Sequence, residues 1–176
     1  MNNILLTGIP GIGKTTIIEK VLSVCELNAG GFYTKEIRNK GIRKGFKIID
    51  LQTRREGILA HVDIESPFRV GKYGVDPGCF EEIGVKALKE ALLERELIVI
   101  DEIGKMELFS RPFQEKVMQC LSSSKKVLGS IKEKGNPFVD SIKKREDVTI
   151  ITVDESNRDF IPEKIINLLS GNKGCK

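Results

Sequence analysis

Residues 8–15 read Gly-Ile-Pro-Gly-Ile-Gly-Lys-Thr, the spacing G-x-x-x-x-G-K-[ST], set between the apolar run Ile4-Leu5-Leu6 and a stretch with Ile17, Ile18, Val21, Leu22 and Cys25 at helical intervals. Strand, glycine-rich loop and helix in that order form a phosphate cradle. Backbone N–H groups, unobstructed at Gly8, Gly11 and Gly13, can curl around a triphosphate at the positive end of the following helix. Lys14 would reach the β and γ oxygens, and Thr15 would offer its hydroxyl to Mg²⁺.

A chain of 176 residues suits one well-cored domain, expected over 1–170, with a flexible tail at 171–176. The composition, 40% hydrophobic and 31% charged, is that of a soluble protein, and the longest apolar runs are far too short for a membrane span. Met1-Asn2-Asn3 lacks the charged leader of a signal peptide. Cysteines at 25, 79, 120 and 175 form no C-x-x-C pair, which points to a reduced, cytoplasmic chain without a zinc site. His61, the sole histidine, reads as a partly exposed strand residue. A net charge of +4 over 29 basic and 25 acidic side chains gives nucleic-acid binding little support.

Further along, Gly30–Arg38 reads as a strand, and Gly45–Leu51 with Gly57–Val62 as a β-hairpin, a candidate insertion at 45–62. Pro67, Gly71, Gly74 and Pro77 mark Ser66–Pro77 as loop. Phe80, Ile83, Ala87, Leu88, Ala91 and Leu92 predict a helix over Gly78–Arg95, and Ser110 caps another with Pro112 in its first turn. Leu97–Ile100, Val127–Ile131 and Val148–Val153 are core strands, Pro137–Lys144 a short helix and Pro162–Ser170 a final one. This alternation predicts an α/β three-layer sandwich, a mostly parallel central sheet covered by helices on both faces, plus the small hairpin.

Nucleotide chemistry needs a carboxylate near the metal, and the natural source is the end of a strand beside the phosphate loop. Asp101, released by Leu97-Ile98-Val99-Ile100 at the carboxyl edge of the sheet, fits that place. Glu102 would face the γ-phosphate and orient or deprotonate water. Arg38, Arg69, Lys72, Arg145 and Arg158 are candidates for a cation that meets the transition-state charge, with Arg69 and Lys72 favoured because their loop is glycine-rich. If none reaches the site, turnover is slow and an unidentified activating partner could supply the charge.

The run Val99-Ile100-Asp101-Glu102-Ile103-Gly104-Lys105-Met106-Glu107-Leu108, with Gly31–Arg38 and Arg69–Val75, resembles the thermophile-type nucleoside-triphosphatase family, which includes the human cancer-related nucleoside-triphosphatase. The likeness runs on to Asn157-Arg158-Asp159 and so covers nearly the whole chain. It implies a P-loop NTPase fold and slow Mg²⁺-dependent hydrolysis of several nucleoside triphosphates, ATP and GTP among them. Position by position, it implies that Gly8, Ile9, Pro10, Gly11, Ile12, Gly13, Lys14, Thr15 and Thr16 hold the phosphates. Asp101 would be the magnesium-side carboxylate and Glu102 the base. Two other readings stay open: a small-molecule or nucleotide kinase, against which Glu102 speaks modestly, and a nucleotide-dependent nucleic-acid-binding module.

Overall fold

The computed structural model describes residues 3–170, so the tail expected at 171–176 lies outside the described residues. Strands β1 (Asn3–Thr7), β2 (Ala29–Asn39), β3 (Ile42–Asp50), β4 (Glu56–His61), β5 (Arg69–Val70), β6 (Tyr73–Val75), β7 (Leu97–Ile103), β8 (Lys126–Ile131) and β9 (Val148–Thr152) form one sheet. Their order is β5-β6-β4-β3-β2-β7-β8-β1-β9. From β2 to β9 every pairing is parallel; from β2 to β5 every pairing is antiparallel. One strand therefore belongs to both halves.

Helices cover both faces because the central strands are apolar on both. Along β1, Ile4 and Leu6 face one layer and Leu5 the other; along β7, Leu97 and Val99 oppose Ile98 and Ile100. On the first face pack α1 (Lys14–Val24) and α6 (Ile161–Ser170), through Ile17, Ile18, Val21, Ile161, Ile165 and Leu169. On the second pack α2 (Pro77–Phe80), α3 (Lys86–Glu94), α4 (Arg111–Leu121) and α5 (Pro137–Lys143). Ser110 caps its helix as expected, accepting from Phe113 N–H; Asn136, accepting from Phe138 and Val139, and Asp76, accepting from Cys79, are further caps. Phe32, Phe80 and Phe113, all fully buried, meet edge to face at 5.0–5.9 Å and pin α2 and α4 to β2.

The expected hairpin at 45–62 is present as β3 and β4, but it belongs to a larger antiparallel extension. β2 runs past the edge of the parallel half and turns back into β3 through Lys40 and Gly41, whose φ values of 46° and 80° suit a two-residue hairpin turn. The stretch expected as loop at 66–77 carries β5 and β6; Gly74 is required in β6 because a Cβ there would collide with the carbonyl oxygen of Ile64. The helix expected over 78–95 is interrupted by a π-helical turn, Glu81–Val85. Among the described residues no helix is long and apolar enough to cross a membrane.

Phe32 is the member of the ring triangle that lies on the sheet, in contact with the other two. Phe32→Ala should cost about 3–5 kcal/mol in urea unfolding; a loss below about 1 kcal/mol would show that the cluster does not hold the second face.

Candidate active site

The loop between β1 and α1 has the backbone its glycines permit. Gly8, Gly11 and Gly13 sit at φ 149°, 82° and 109°, values that residues with a Cβ rarely adopt. At Gly8 a Cβ would also stand 2.6 Å from the carbonyl oxygen of Val153. Gly13 is the residue before α1, so the first N–H groups of that helix open toward the loop. Ile12 is buried beneath the loop, and Ile9 is exposed. Lys14 is nearly buried, its Nζ donating to the carbonyl oxygens of Gly8 at 2.9 Å and Ile9 at 3.3 Å, which holds the ammonium inside the curl.

Strand β7 does not end at Ile100. It continues through Asp101 and Glu102 to Ile103, with one extra residue against β8 between Ile100 and Ile103. Such a bulge re-aims side chains at the end of a strand. Nor does β7 lie directly beside β1: β8 stands between them. Asp101 bridges the gap. Thr15 Oγ1 donates to Asp101 Oδ2 at 2.6 Å, and Ser130 Oγ, from β8, donates to Asp101 Oδ1. Asp101 is 1% exposed, and burial raises its proton affinity, opposed by those two hydroxyls and the Lys14 ammonium. A hydroxyl and a carboxylate are hard oxygen donors of the kind a divalent cation takes. Among the described residues no cluster of three His, Cys, Asp or Glu could hold a metal ion.

Glu102 is partly buried on the same bulge. Burial raises its proton affinity; Lys14 lowers it, Asp101 raises it and Lys132 lowers it. A second carboxyl group lies close by. Glu107, in the 3₁₀ turn Glu107–Phe109, is fully buried, and a Cβ on Gly104 would stand 2.8 Å from both Glu102 Oε1 and Glu107 Oε2. The two oxygens are thus at most twice that distance apart. Burial first, then the charges of Glu102 and Asp101, push the Glu107 carboxyl up to about 8, against the N–H groups of Glu107 and Gly104.

The expected cations fare differently. Arg38 is paired with Glu36, 2.7 Å from Nε, at the tip of the β2–β3 hairpin. Arg69 donates to the carbonyl oxygen of Lys72, and Lys72 lies over the Tyr73 ring. Arg145 grips Asp147 just before β9 begins, at the opposite edge of the parallel strands from the phosphate loop. Arg158 follows β9, on the side of β1 away from β7. Sequence reasoning did not single out Ser130, Gly104 or Lys132, and it left Glu107 without a role. Ser130 and Lys132 carried a signal, a polar residue breaking the apolar run 127–131 and a cation following it.

A glycine loop opening a helix after the first strand, with a carboxylate pair on a parallel strand two places away in the sheet, defines an α/β phosphate-loop protein that acts on nucleotides. The family profile described as NTPase matches residues 3–166. The chain is 51% identical over 173 residues to nucleoside-triphosphatase THEP1 of Thermotoga sp. (strain RQ2), covering 98% of each chain. It superposes on the crystal structure of THEP1 from the hyperthermophile Aquifex aeolicus with a TM-score of 0.86 and 36% identity, covering 96% of this chain and 99% of that one. On the solution structure of a human cancer-related nucleoside triphosphatase the TM-score is 0.84 at 37% identity, over 99% and 100% of the two chains. The chain belongs to the THEP1 nucleoside-triphosphatase family and is a nucleoside-triphosphate phosphohydrolase.

Glu107 gives a pH test. Its folded carboxyl releases a proton near pH 8 and an unfolded one near 4.5, so the stability from holding that proton is complete below about pH 4.5 and is lost as pH rises through 8. Glu107→Gln, permanently neutral, should exceed wild type in melting temperature by roughly 5 °C at pH 9, the gap closing toward pH 5. A gap that stays constant with pH would show that Glu107 is ionised in the fold.

Proposed function

We propose that this chain hydrolyses ATP, GTP, CTP and UTP to the diphosphate and inorganic phosphate, slowly and with Mg²⁺, residues 1–170 working as one domain in the cytoplasm. The observation that carries this reading is the 2.6 Å contact between Thr15 and Asp101, which brings the phosphate loop and the carboxylate strand to one point with Glu102 next in line. Backbone N–H groups of Gly8, Ile9, Gly11, Ile12, Gly13, Lys14, Thr15 and Thr16 cradle the phosphates, Pro10 lacking that donor and shaping the curl. Mg²⁺, when bound, neutralises charge on the β and γ oxygens, and Thr15 and Asp101 are the residues that would hold it.

Lys14 exchanges its two carbonyl partners for phosphate oxygens, a gain in charge pairing. Glu102 accepts a proton from water as the water oxygen bonds to the γ-phosphorus; the bond from that phosphorus to the β–γ bridging oxygen breaks, and the electron pair leaves with the diphosphate. Its partly desolvated carboxylate, with a proton affinity above that of a free glutamate, is the better base for it. Water is the acceptor in this reading; a kinase would give phosphoryl transfer to an added nucleoside or nucleotide instead.

With Glu102→Gln, phosphate release from ATP should fall about 10²–10⁴-fold while KM changes little. Release that survives this change, or that depends on an acceptor, would sink the hydrolytic reading. Gly104→Ala pushes on Oε1 and Cγ of Glu102 and on Oε2 of buried Glu107, so it should lower kcat about 10–100-fold; wild-type turnover in that variant would show that Glu102 needs no fixed position.

A further inference from the structure

Of the five cations singled out from sequence, Arg38, Arg69, Lys72 and Arg145 are engaged by other groups, and Arg158 follows β9, one strand beyond β1 from β7, whereas Lys14 sits inside the phosphate loop. The strand order points to another side chain. β8 lies between β1, which leads into the phosphate loop, and β7, which carries Asp101 and Glu102. Whatever leaves the carboxyl end of β8 emerges between the two halves of the site.

Ser130 proves the direction. Its hydroxyl meets Asp101, so the face of β8 that carries residue 130 looks into the site. Side chains two apart on an extended strand share a face. Lys132 is two residues on, and its N–H donates to the carbonyl oxygen of Ile103 at 3.1 Å, which prolongs the β7–β8 ladder by one residue and keeps the strand geometry to that point. Lys132 is half-buried. Its ammonium touches a single acceptor, the carbonyl oxygen of Gly135 at 3.4 Å, and among the described ion pairs it has no carboxylate partner. Lys132 and Lys14 are also the two positive charges that act on the Glu102 carboxylate, which puts both ammonium groups within electrostatic reach of one carboxyl group.

We propose that Lys132 is a second catalytic cation, whose ammonium meets the non-bridging oxygens of the γ-phosphate from the β8 side of the cleft while Lys14 meets them from the phosphate loop. This rests on the hydrolytic reading above and deepens it. The loose transition state of phosphoryl transfer spreads negative charge over those oxygens, and a cation aimed at them strengthens its hold as the bond to the leaving group lengthens. A lysine bonded to one long carbonyl contact can turn to a phosphate without breaking an ion pair. The diphosphate product lacks the γ group, so Lys132 discriminates the triphosphate from the product as well as the transition state from the substrate.

The test uses the full chain with Mg²⁺ and compares Lys132→Ala, Lys132→Gln, Lys132→Arg and Lys134→Ala, a change to an exposed lysine on the same loop. Single-turnover phosphate release from ATP should fall about a hundredfold in Lys132→Ala and Lys132→Gln, recover to within about tenfold of wild type in Lys132→Arg, and stay unchanged in Lys134→Ala. Calorimetric ADP affinity should stay within about twofold throughout, while affinity for a non-hydrolysable ATP analogue falls in the two neutral variants. Turnover within threefold of wild type in Lys132→Ala or Lys132→Gln overturns the proposal, as does an equal loss of ADP affinity and turnover, which would mark a structural role. Wild type and Glu102→Gln run beside them separate the two levels: a wild type that releases no phosphate refutes the hydrolytic reading, whereas loss in Glu102→Gln with none at position 132 refutes Lys132 alone.

Discussion

The carboxylate of Asp101 is the joint on which the site is built. It is buried, and its two oxygens accept from hydroxyls on different elements: Thr15 at the start of α1 and Ser130 on β8. A buried carboxylate with those partners removed would face a desolvation cost of several kcal/mol. With them, three elements far apart in the chain are drawn to one point. Because β8 intervenes between β1 and β7, sheet pairing by itself would leave the phosphate loop and the carboxylate strand two strand spacings apart, about 10 Å. Side-chain hydrogen bonds across the end of β8 close that distance.

The local charges follow from the same crowding. Asp101, Glu102 and Glu107 share a poorly solvated edge: burial raises the proton affinity of all three, Asp101 adds to that at Glu102, and Glu102 and Asp101 add to it at Glu107. A neutral Glu107 lightens that load without leaving an apolar hole. Lys14 and Lys132 oppose it from two sides. An anionic ligand that brings its own divalent cation suits such an edge, since carboxylates and a hydroxyl attract the cation and ammonium and backbone N–H groups attract phosphate.

Local chemistry made much of this readable in the chain. The phosphate loop is contiguous and its glycines are required by backbone conformation, so eight residues identify it. Asp101 and Glu102 follow an apolar run that could only be a buried strand. The Ser110 cap and helical spacing placed α4, and a short helix was expected from Pro137 where α5 lies. What stayed hidden depends on strand order. Nothing in residues 127–132 says that β8 slots between β1 and β7, so Ser130 and Lys132 looked like an ordinary strand end. Glu107 had no visible role because its environment is made by Gly104 and Glu102 through a turn. The extent of the antiparallel half was missed for a related reason: β5 and β6 are two and three residues long, interrupted by glycine, and become strands only through the partner that β4 offers.

β2 pairs with β7 only from Ala29 to Tyr33, and with β3 from Phe32 to Asn39. From Thr34 onward its other flank therefore carries backbone donors and acceptors with no strand beside them among the described pairings. Such a flank is a template for adding a foreign strand, the first step of edge-to-edge aggregation. The residues there are Lys35, Glu36 and Arg38, exposed or nearly so, with Glu36 held between Arg38 and Arg43 and Lys35 anchored to Glu19. Fixed charges at that spacing would have to be stripped of water before another chain could dock, so the segment that carries one catalytic candidate, Arg38, resists edge-to-edge pairing.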